Sequence, residues 1–377
     1  MKWGHKQLTI FFLLLSVVLI CTKSEADIVG YAYDPIENGG GARLLGMGKA
    51  FVAVSDDPNA IFVNPAGLSG LKYPEALGMY YTRFLDGYYY VTGGGVFPTK
   101  YGTFGLGYVG QGSGDLTATN DDEILGKFDY ADNVVIVSYG TQLSQFYRLT
   151  DERFDGKIDI GGNLKFFSGG FSESVSAPNF SLNFDLGLKY RLYDWATLGI
   201  VKNNLLPTYL GGSKSWKGDS QEILSSPTKL GAAFKLNEGR NLVDVDMIIP
   251  SIAGYPLLFN IGTEYLLDSD FYLRAGLNEM VDAASGVYWG YSFGLGIEVS
   301  EFKLDYAYKP YYDIGENTVH YFSLSYVFNP PQFVLSDNEQ DQDMLVSNNK
   351  EHETEQQDVG EEEKIDLNYV DGTYTYR

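Results

Sequence analysis

From Glu75 to Phe328 the hydrophobic and polar positions repeat with a period of two, not 3.6. Phe180, Leu182, Phe184, Leu186, Leu188, Tyr190 and Leu192 alternate with Ser181, Asn183, Asp185, Gly187, Lys189 and Arg191. That is the signature of a strand with one apolar and one polar face. The same alternation runs through Phe293, Leu295, Ile297 and Val299, and through Phe302, Leu304, Tyr306 and Tyr308. It recurs from Phe259 to Leu267. Fourteen such runs lie near 75–85, 88–97, 101–111, 132–142, 156–168, 178–192, 195–204, 227–237, 240–250, 256–267, 270–279, 287–298, 301–311 and 317–328. Most are about ten to thirteen residues long, which suits a tilted membrane strand better than a soluble one. The pattern predicts an all-β fold: a transmembrane antiparallel β-barrel of about 14 strands, its even count returning both ends to one side. A soluble β-sandwich is the competing architecture.

Connection lengths favour the barrel. Pro98-Thr99-Lys100, Tyr193-Asp194, Asn237-Glu238-Gly239, Asp268-Ser269 and Ser300 fall on one side and are short, as periplasmic turns are. The segments 112–131 and 205–226 fall on the other side and read as long extracellular loops. Asp86-Gly87 is short for an outer loop, and 143–155 is long for an inner one. Lys189, Arg191, Asp185 and Asn183 would be costly in a soluble core, so they read as polarity lining a lumen.

Composition adds the ends. Residues 1–26 read as a signal peptide: Lys2, His5 and Lys6, an apolar core from Leu8 to Ile20, then Ser24-Glu25-Ala26 as the cleavage site. Cleavage after Ala26 would remove the single cysteine, Cys21, and with it any thiol or disulfide chemistry. Ile20 stands where a lipobox needs a small residue. The net charge of −22 argues against nucleic acid. Much of it is local, for residues 329–377 carry 13 Asp/Glu against 3 Lys/Arg. Tyr (30), Phe (23) and Gly (44) suit strands, aromatic girdles and crowded barrel interiors.

Residues 27–73 do not alternate. They hold Gly39-Gly40-Gly41, a helix predicted over 42–53, and a turn opening at Pro58 that Asp56 or Asp57 would cap. Asn64-Pro65 breaks that turn. A compact irregular piece ahead of a barrel is a natural plug, or hatch. The run from Gly41 to Ala60, followed by Asn64-Pro65-Ala66-Gly67-Leu68, resembles the opening of FadL-like and PorV/PorQ-like outer-membrane proteins. Leu186-Gly187-Leu188-Lys189-Tyr190, Leu198 to Asn204, Leu304 to Tyr308 and His320 to Tyr326 extend the resemblance over roughly 40–328.

The resemblance implies a fourteen-stranded barrel with a lumenal N-terminal hatch carrying the motif Asn64, Pro65 and Ala66. FadL-like members move hydrophobic small molecules such as long-chain fatty acids across the bacterial outer membrane. PorV-like members instead bind exported protein cargo in type IX secretion. The 49-residue extension after Phe328 departs from both patterns and raises a periplasmic partner for the acidic tail.

No enzyme is expected. Gly46-Met47-Gly48-Lys49-Ala50 fails as a phosphate loop, because Arg43 and Ala50 occupy the positions of the first Gly and the Ser/Thr. Asp337, Glu339, Asp341 and Asp343 fail as a calcium loop, with Gln342 and Asn348 at the required Gly and Glu. His5, His320 and His352 are scattered, so no metal site, catalytic triad or cofactor is expected. The expected organisation is therefore a signal peptide at 1–26, a hatch at 27–73, a barrel at 74–328 and an acidic tail at 329–377. Within that tail 336–364 is expected to be disordered, and Asp371-Gly372 marks a hairpin. The leading expectation is an outer-membrane channel for a hydrophobic, fatty-acid-like ligand in contact with outer-membrane lipid. The alternatives are a cargo platform built on 112–131 and 205–226, or a purely structural barrel.

Overall fold

A computed structural model describes residues 30–32, 34–83, 87–120, 123–146, 154, 156–172, 179–215, 221–282, 286–310, 318–328, 368–370 and 373–375. The expected signal peptide lies outside the described residues, as does the tail apart from its last short strands.

Fourteen antiparallel strands close into a barrel. They are β1 Glu75–Arg83, β2 Tyr88–Thr99, β3 Gly102–Asn120, β4 Glu123–Gln142, β5 Ile158–Phe171, β6 Asn179–Tyr193 and β7 Ala196–Lys202. Then come β8 Thr228–Leu236, β9 Asn241–Ile249, β10 Leu258–Asp268, β11 Phe271–Asp282, β12 Gly286–Val299, β13 Phe302–Pro310 and β14 Thr318–Val327. Each strand pairs with its sequence neighbour, and β14 returns to β1 from Ser323↔Met79 to Val327↔Glu75. All fourteen runs read from the alternation are therefore strands, and the barrel architecture expected from them is the one observed.

The two faces explain why the ladder closes. Phe104, Leu106, Phe293, Leu295 and Leu304 point outward and are each about half exposed. Asn163, Asn183, Asp185 and Asp244, at inward positions, are buried. An apolar outer surface of this extent is an aggregation hazard in water and a good fit to hydrocarbon, where a closed barrel leaves no unpaired edge. Short turns gather at one end, called here the near end. There Glu238 and Ser300 take left-handed φ of 58° and 57°. Aromatic rings cluster at the same end: Tyr193 stacks on Trp195 at 5.3 Å, and Phe302 lies 4.9 Å from Tyr326. The longer connections gather at the far end.

Three expectations are corrected. Segment 112–131 is not a loop, since β3 and β4 stay paired as far as Asn120↔Glu123. Register shifts between Ser113 and Leu116 and between Ala118 and Thr119 break the phase of the alternation, which hides the strands from a period-two reading. Segment 205–226, in its described residues, is not a plain outward loop either. It contains a 3-10 turn at Thr208–Leu210 and short strands Ser213–Ser215 and Gln221–Leu224, the second paired in parallel with Gly30–Ala32. Ser213, Lys214 and Leu224 are buried, and Lys214 meets Asp132 at 2.6 Å. A lysine among polar residues reads as exposed until the carboxylate that receives it is known. Third, the helix expected over 42–53 is one short turn, α1, Ala42–Gly46. Gly48 and Lys49 both take left-handed φ, 62° and 64°, and stop it.

Residues 331–377 form a separate unit, of which Asn368–Val370 and Thr373–Thr375 are described as an antiparallel pair. This matches the hairpin signal at Asp371-Gly372.

Candidate functional site

The segment from Asp34 to Pro74 runs through the lumen from the far end to the near end. Its local shape comes from one device used three times: an Asx residue followed by proline. Asp34 accepts from the Ile36 amide at 3.0 Å and opens the 3-10 turn Pro35–Asn38. Asp57 accepts from Asn59 at 2.7 Å and opens Pro58–Ile61. Asn64 accepts from Ala66 at 3.2 Å and opens Pro65–Gly70. In each the side-chain oxygen satisfies an orphan amide, and proline supplies a ready-made φ with no N–H to lose. The cap at Asp57 and the break at Asn64-Pro65 follow the sequence. The first turn was missed, although Asp34-Pro35 carries the same signal.

Such irregular backbone has unpaired donors and acceptors, which must find partners in a dry interior. The inward polar residues of the barrel supply them. Asp246 on β9 accepts from the amides of Phe51 and Val52 at 2.8 and 3.1 Å. Lys189 on β6 donates to the carbonyls of Val54 and Ser55 at 2.5 and 3.1 Å. Asn64 donates to the Val52 carbonyl at 2.9 Å and leans on Leu188 of β6. Asn64 and Ala66 are fully buried and Pro65 is buried with them. The expected motif residues thus lie together, shaping the segment and fitting it to the wall.

Glycines let the segment touch that wall. A Cβ on Gly276 would fall 2.1 Å from the Gly48 nitrogen, and one on Gly161 2.3 Å from the Pro65 carbonyl carbon. One on Gly262 would fall 2.4 Å from the Met47 oxygen, and one on Gly199 2.6 Å from the Val52 oxygen. No side chain fits at these heights. The sequence shows these residues only as part of the polar face, with nothing to mark them as a seat.

Charge completes the joint. Arg43 makes two parallel hydrogen bonds of 2.8 Å to Glu264 on β10, and meets Asp56 and Asp57 at 2.7 and 2.8 Å. Glu264 also takes Arg274 at 2.6 Å, and Arg274 reaches Asp305 at 2.7 Å. Burial works against the Arg43 charge, but Asp56, Glu264 and Asp57 outweigh it and hold the guanidinium pKa well above its ordinary value. Farther along, burial opposes the Asp34 carboxylate, while Lys165, the Asn204 amide, the Ile36 N–H and Lys214 together outweigh it and leave its pKa lowered. Burial pushes Lys49 down to about 8, with Glu37 partly offsetting and Lys229 adding to the effect.

At the near end two cavities of about 310 and 350 Å³ flank the segment. Arg43, Asp56, Asp57, Arg274 and Lys303 line the first; Ser55, Asp159, Lys189 and Arg191 line part of the second. The polar walls of the first suit water, whereas the second mixes its polar groups with Val54, Leu71, Trp195 and Leu242. Farther along the lumen Tyr90, Val109, Val134, Phe167, Val319 and Tyr321 are buried in an apolar cluster with Ile36, Ile61 and Phe62 of the segment. Among the described residues no cluster of metal-binding side chains occurs.

No family model and no curated protein matches the chain. Solved structures do. The Ralstonia pickettii toluene transporter TbuX superposes with a TM-score of 0.52 at 12% identity, covering 77% of this chain and 98% of that one. The Pseudomonas putida toluene transporter TodX gives 0.52 at 16%, covering 80% and 100%. A Pseudomonas aeruginosa FadL homologue gives 0.50 at 13%, covering 80% and 99%. At these identities the likeness is one of fold. The chain has the barrel architecture of these proteins, and the resemblance to FadL-like barrels holds at that level.

Proposed function

We propose that this barrel, which shares its fold with toluene transporters and a FadL homologue, is a bacterial outer-membrane channel for hydrophobic small molecules. The N-terminal segment 34–74 is its hatch. The observation that carries the reading is the seating of that segment: glycine contacts and buried polar groups hold an irregular chain inside a closed barrel whose outer face is apolar. A barrel serving only as an anchor has no need of a lumen with an apolar far half above a polar near half.

In this mechanism the ligand enters from the far end and rests against the apolar far half of the lumen. Burial there contributes about 25 cal/mol per Å² of apolar surface. Transit then requires the hatch to shift, because the near half is filled by backbone in contact with the wall. The platform reading has no support among the solved structures the chain resembles, and Ser213, Lys214 and Leu224 of its second segment are buried.

Cells carrying the protein should accumulate a hydrophobic probe such as labelled oleate or toluene faster than cells carrying the empty vector. The Asn64→Ala/Pro65→Gly variant should change that rate while still assembling. Equal accumulation in all three would overturn the channel.

A further inference from the structure

The run Lys202-Asn203-Asn204 ends β7 and opens the segment that folds into the lumen. All three residues are buried, and they close the two ends of that segment on each other. The Lys202 ammonium donates to the Ser226 carbonyl, and the Ser226 hydroxyl donates to the Asn203 carbonyl at 2.7 Å. The side-chain amide of Asn204 donates to the Ser225 carbonyl at 2.7 Å and to the Asp34 carboxylate at 3.1 Å. Asn204 takes a left-handed φ of 49°, and its backbone N–H donates to Asp185 at 2.8 Å. Asp34 caps the first turn of the hatch, so this bracket joins segment and hatch at a buried point.

Between the two closed ends, Ser213–Ser215 and Gln221–Leu224 form a small sheet. Gly30–Ala32 extends it, with Ala32 opposite Leu224. Lys214 pins this sheet to the wall: its ammonium meets Asp132 of β4 and lies 5.5 Å over the Phe167 ring of β5. Leu224 is 2% exposed and belongs to the apolar cluster that also holds Tyr90, Val109, Val134 and Phe167. The apolar surface that would receive a ligand is thus already covered by a side chain of the protein. Interiors are close-packed, so a ligand and Leu224 cannot fill the same space.

We propose that Leu224 stands in for the transported molecule, and that the Lys202-Asn203-Asn204 bracket passes its displacement on to the hatch. The proposal rests on the channel reading and deepens it, naming the place the ligand takes and the residues that answer it. An apolar molecule entering the cluster expels Leu224. The two short strands move with it and pull on Asp34 through Ala32 and Asn204. Asp34 then releases the Ile36 amide, and the hatch loses its first cap. The ligand favours this opened arrangement because it replaces the apolar contacts that Leu224 gives up. Without a ligand that surface would meet water, so the closed arrangement holds.

The test uses the full chain in neutral detergent, with toluene and oleate as probes and tryptic cleavage at Arg43 and Lys49 as the report on the hatch. A saturating probe should speed cleavage of the wild type about fivefold, the low end of couplings between linked sites. In Leu182→Cys/Gly211→Cys the new Cβ on residue 211 lies 3.7 Å from that of residue 182, within disulfide reach, so oxidation ties the segment to β6. Gly211 sits at φ 97°, and the reduced form of the same variant controls for the strain this adds. Once oxidised, the variant should bind the probe at least about tenfold more weakly than after reduction, and its cleavage should ignore the probe. Leu224→Ser should be cleaved as fast without a probe as the wild type is with one. Asn204→Gly keeps the left-handed backbone and removes both side-chain bonds. It should bind the probe no more weakly than the wild type, yet show no acceleration. Equal binding before and after reduction would overturn the exclusion by Leu224. Acceleration that survives Asn204→Gly would overturn the bracket. A wild type that binds neither toluene nor oleate would overturn the channel reading itself.

Discussion

Arg43 and Glu264 meet through two parallel hydrogen bonds of 2.8 Å, tying the N-terminal segment to strand β10. Asp56 and Asp57 of that segment take a third donor of the same guanidinium, so one side chain fixes both the segment's own fold and its attachment. Fork-on-fork geometry of this kind is stronger than a point contact.

Arg43→Met should therefore weaken hatch seating by about 3 kcal/mol, the usual cost of removing one partner from a buried ion pair. The barrel ladder does not depend on Arg43 and should still form. Planar-bilayer recordings should show larger and more frequent openings than the wild type. A variant as quiet as the wild type would show that Arg43 does not hold the hatch.

Gly276→Ala puts a methyl group 2.1 Å from the Gly48 nitrogen, where only backbone can move aside. The hatch should be displaced and become sensitive to trypsin at Arg43 and Lys49, at a cost of about 1–3 kcal/mol. Gly78→Ala is the control, since nothing lies within 4 Å of its added carbon. It should leave proteolysis unchanged. Equal resistance of both variants would remove the glycine seat from the account.

Asn64 accepts from Ala66 and donates to Val52. Asn64→Asp keeps the acceptor but sets a carboxylate against the Val52 carbonyl. It should raise uptake of a hydrophobic probe more than Asn64→Ala, because leaving a buried polar group facing another acceptor costs about 1–3 kcal/mol. The opposite order, measured by initial rates of accumulation, would place the weight on the cap instead.

An epitope at Gly254, exposed in the far-end connection between β9 and β10, should be labelled on intact cells. One at Glu238, in a near-end turn, should need permeabilised cells. Gly212, buried among the carbonyls of Leu206 and Pro207, should not accept an insertion at all. Labelling of Glu238 on intact cells would invert the orientation.

The strands were legible because one face meets an apolar surround and the other a polar filling, which imposes strict alternation. Where the ladder is bulged, between Ser113 and Thr119, the phase slips and the signal fades. Asn64-Pro65 and Asp57-Pro58 were legible because capping is local in sequence. The partners of Lys189 and Asp246, and the pairing of Arg43 with Glu264, were not, since each of these contacts spans more than 130 residues.

The hatch also bears on how the molecule comes together. Gly30–Ala32 sits at the far end, paired with Gln221–Leu224, while β1 begins at the near end with Glu75. The chain thus crosses the lumen before it reaches the wall, and the ladder that closes the barrel joins β14 back to β1. Threading this segment into a finished barrel would drag Arg43, Asp56 and Asp57 through a bore that admits backbone only where glycines line it. That geometry favours wrapping the strands around the segment during assembly over filling an empty pore afterwards.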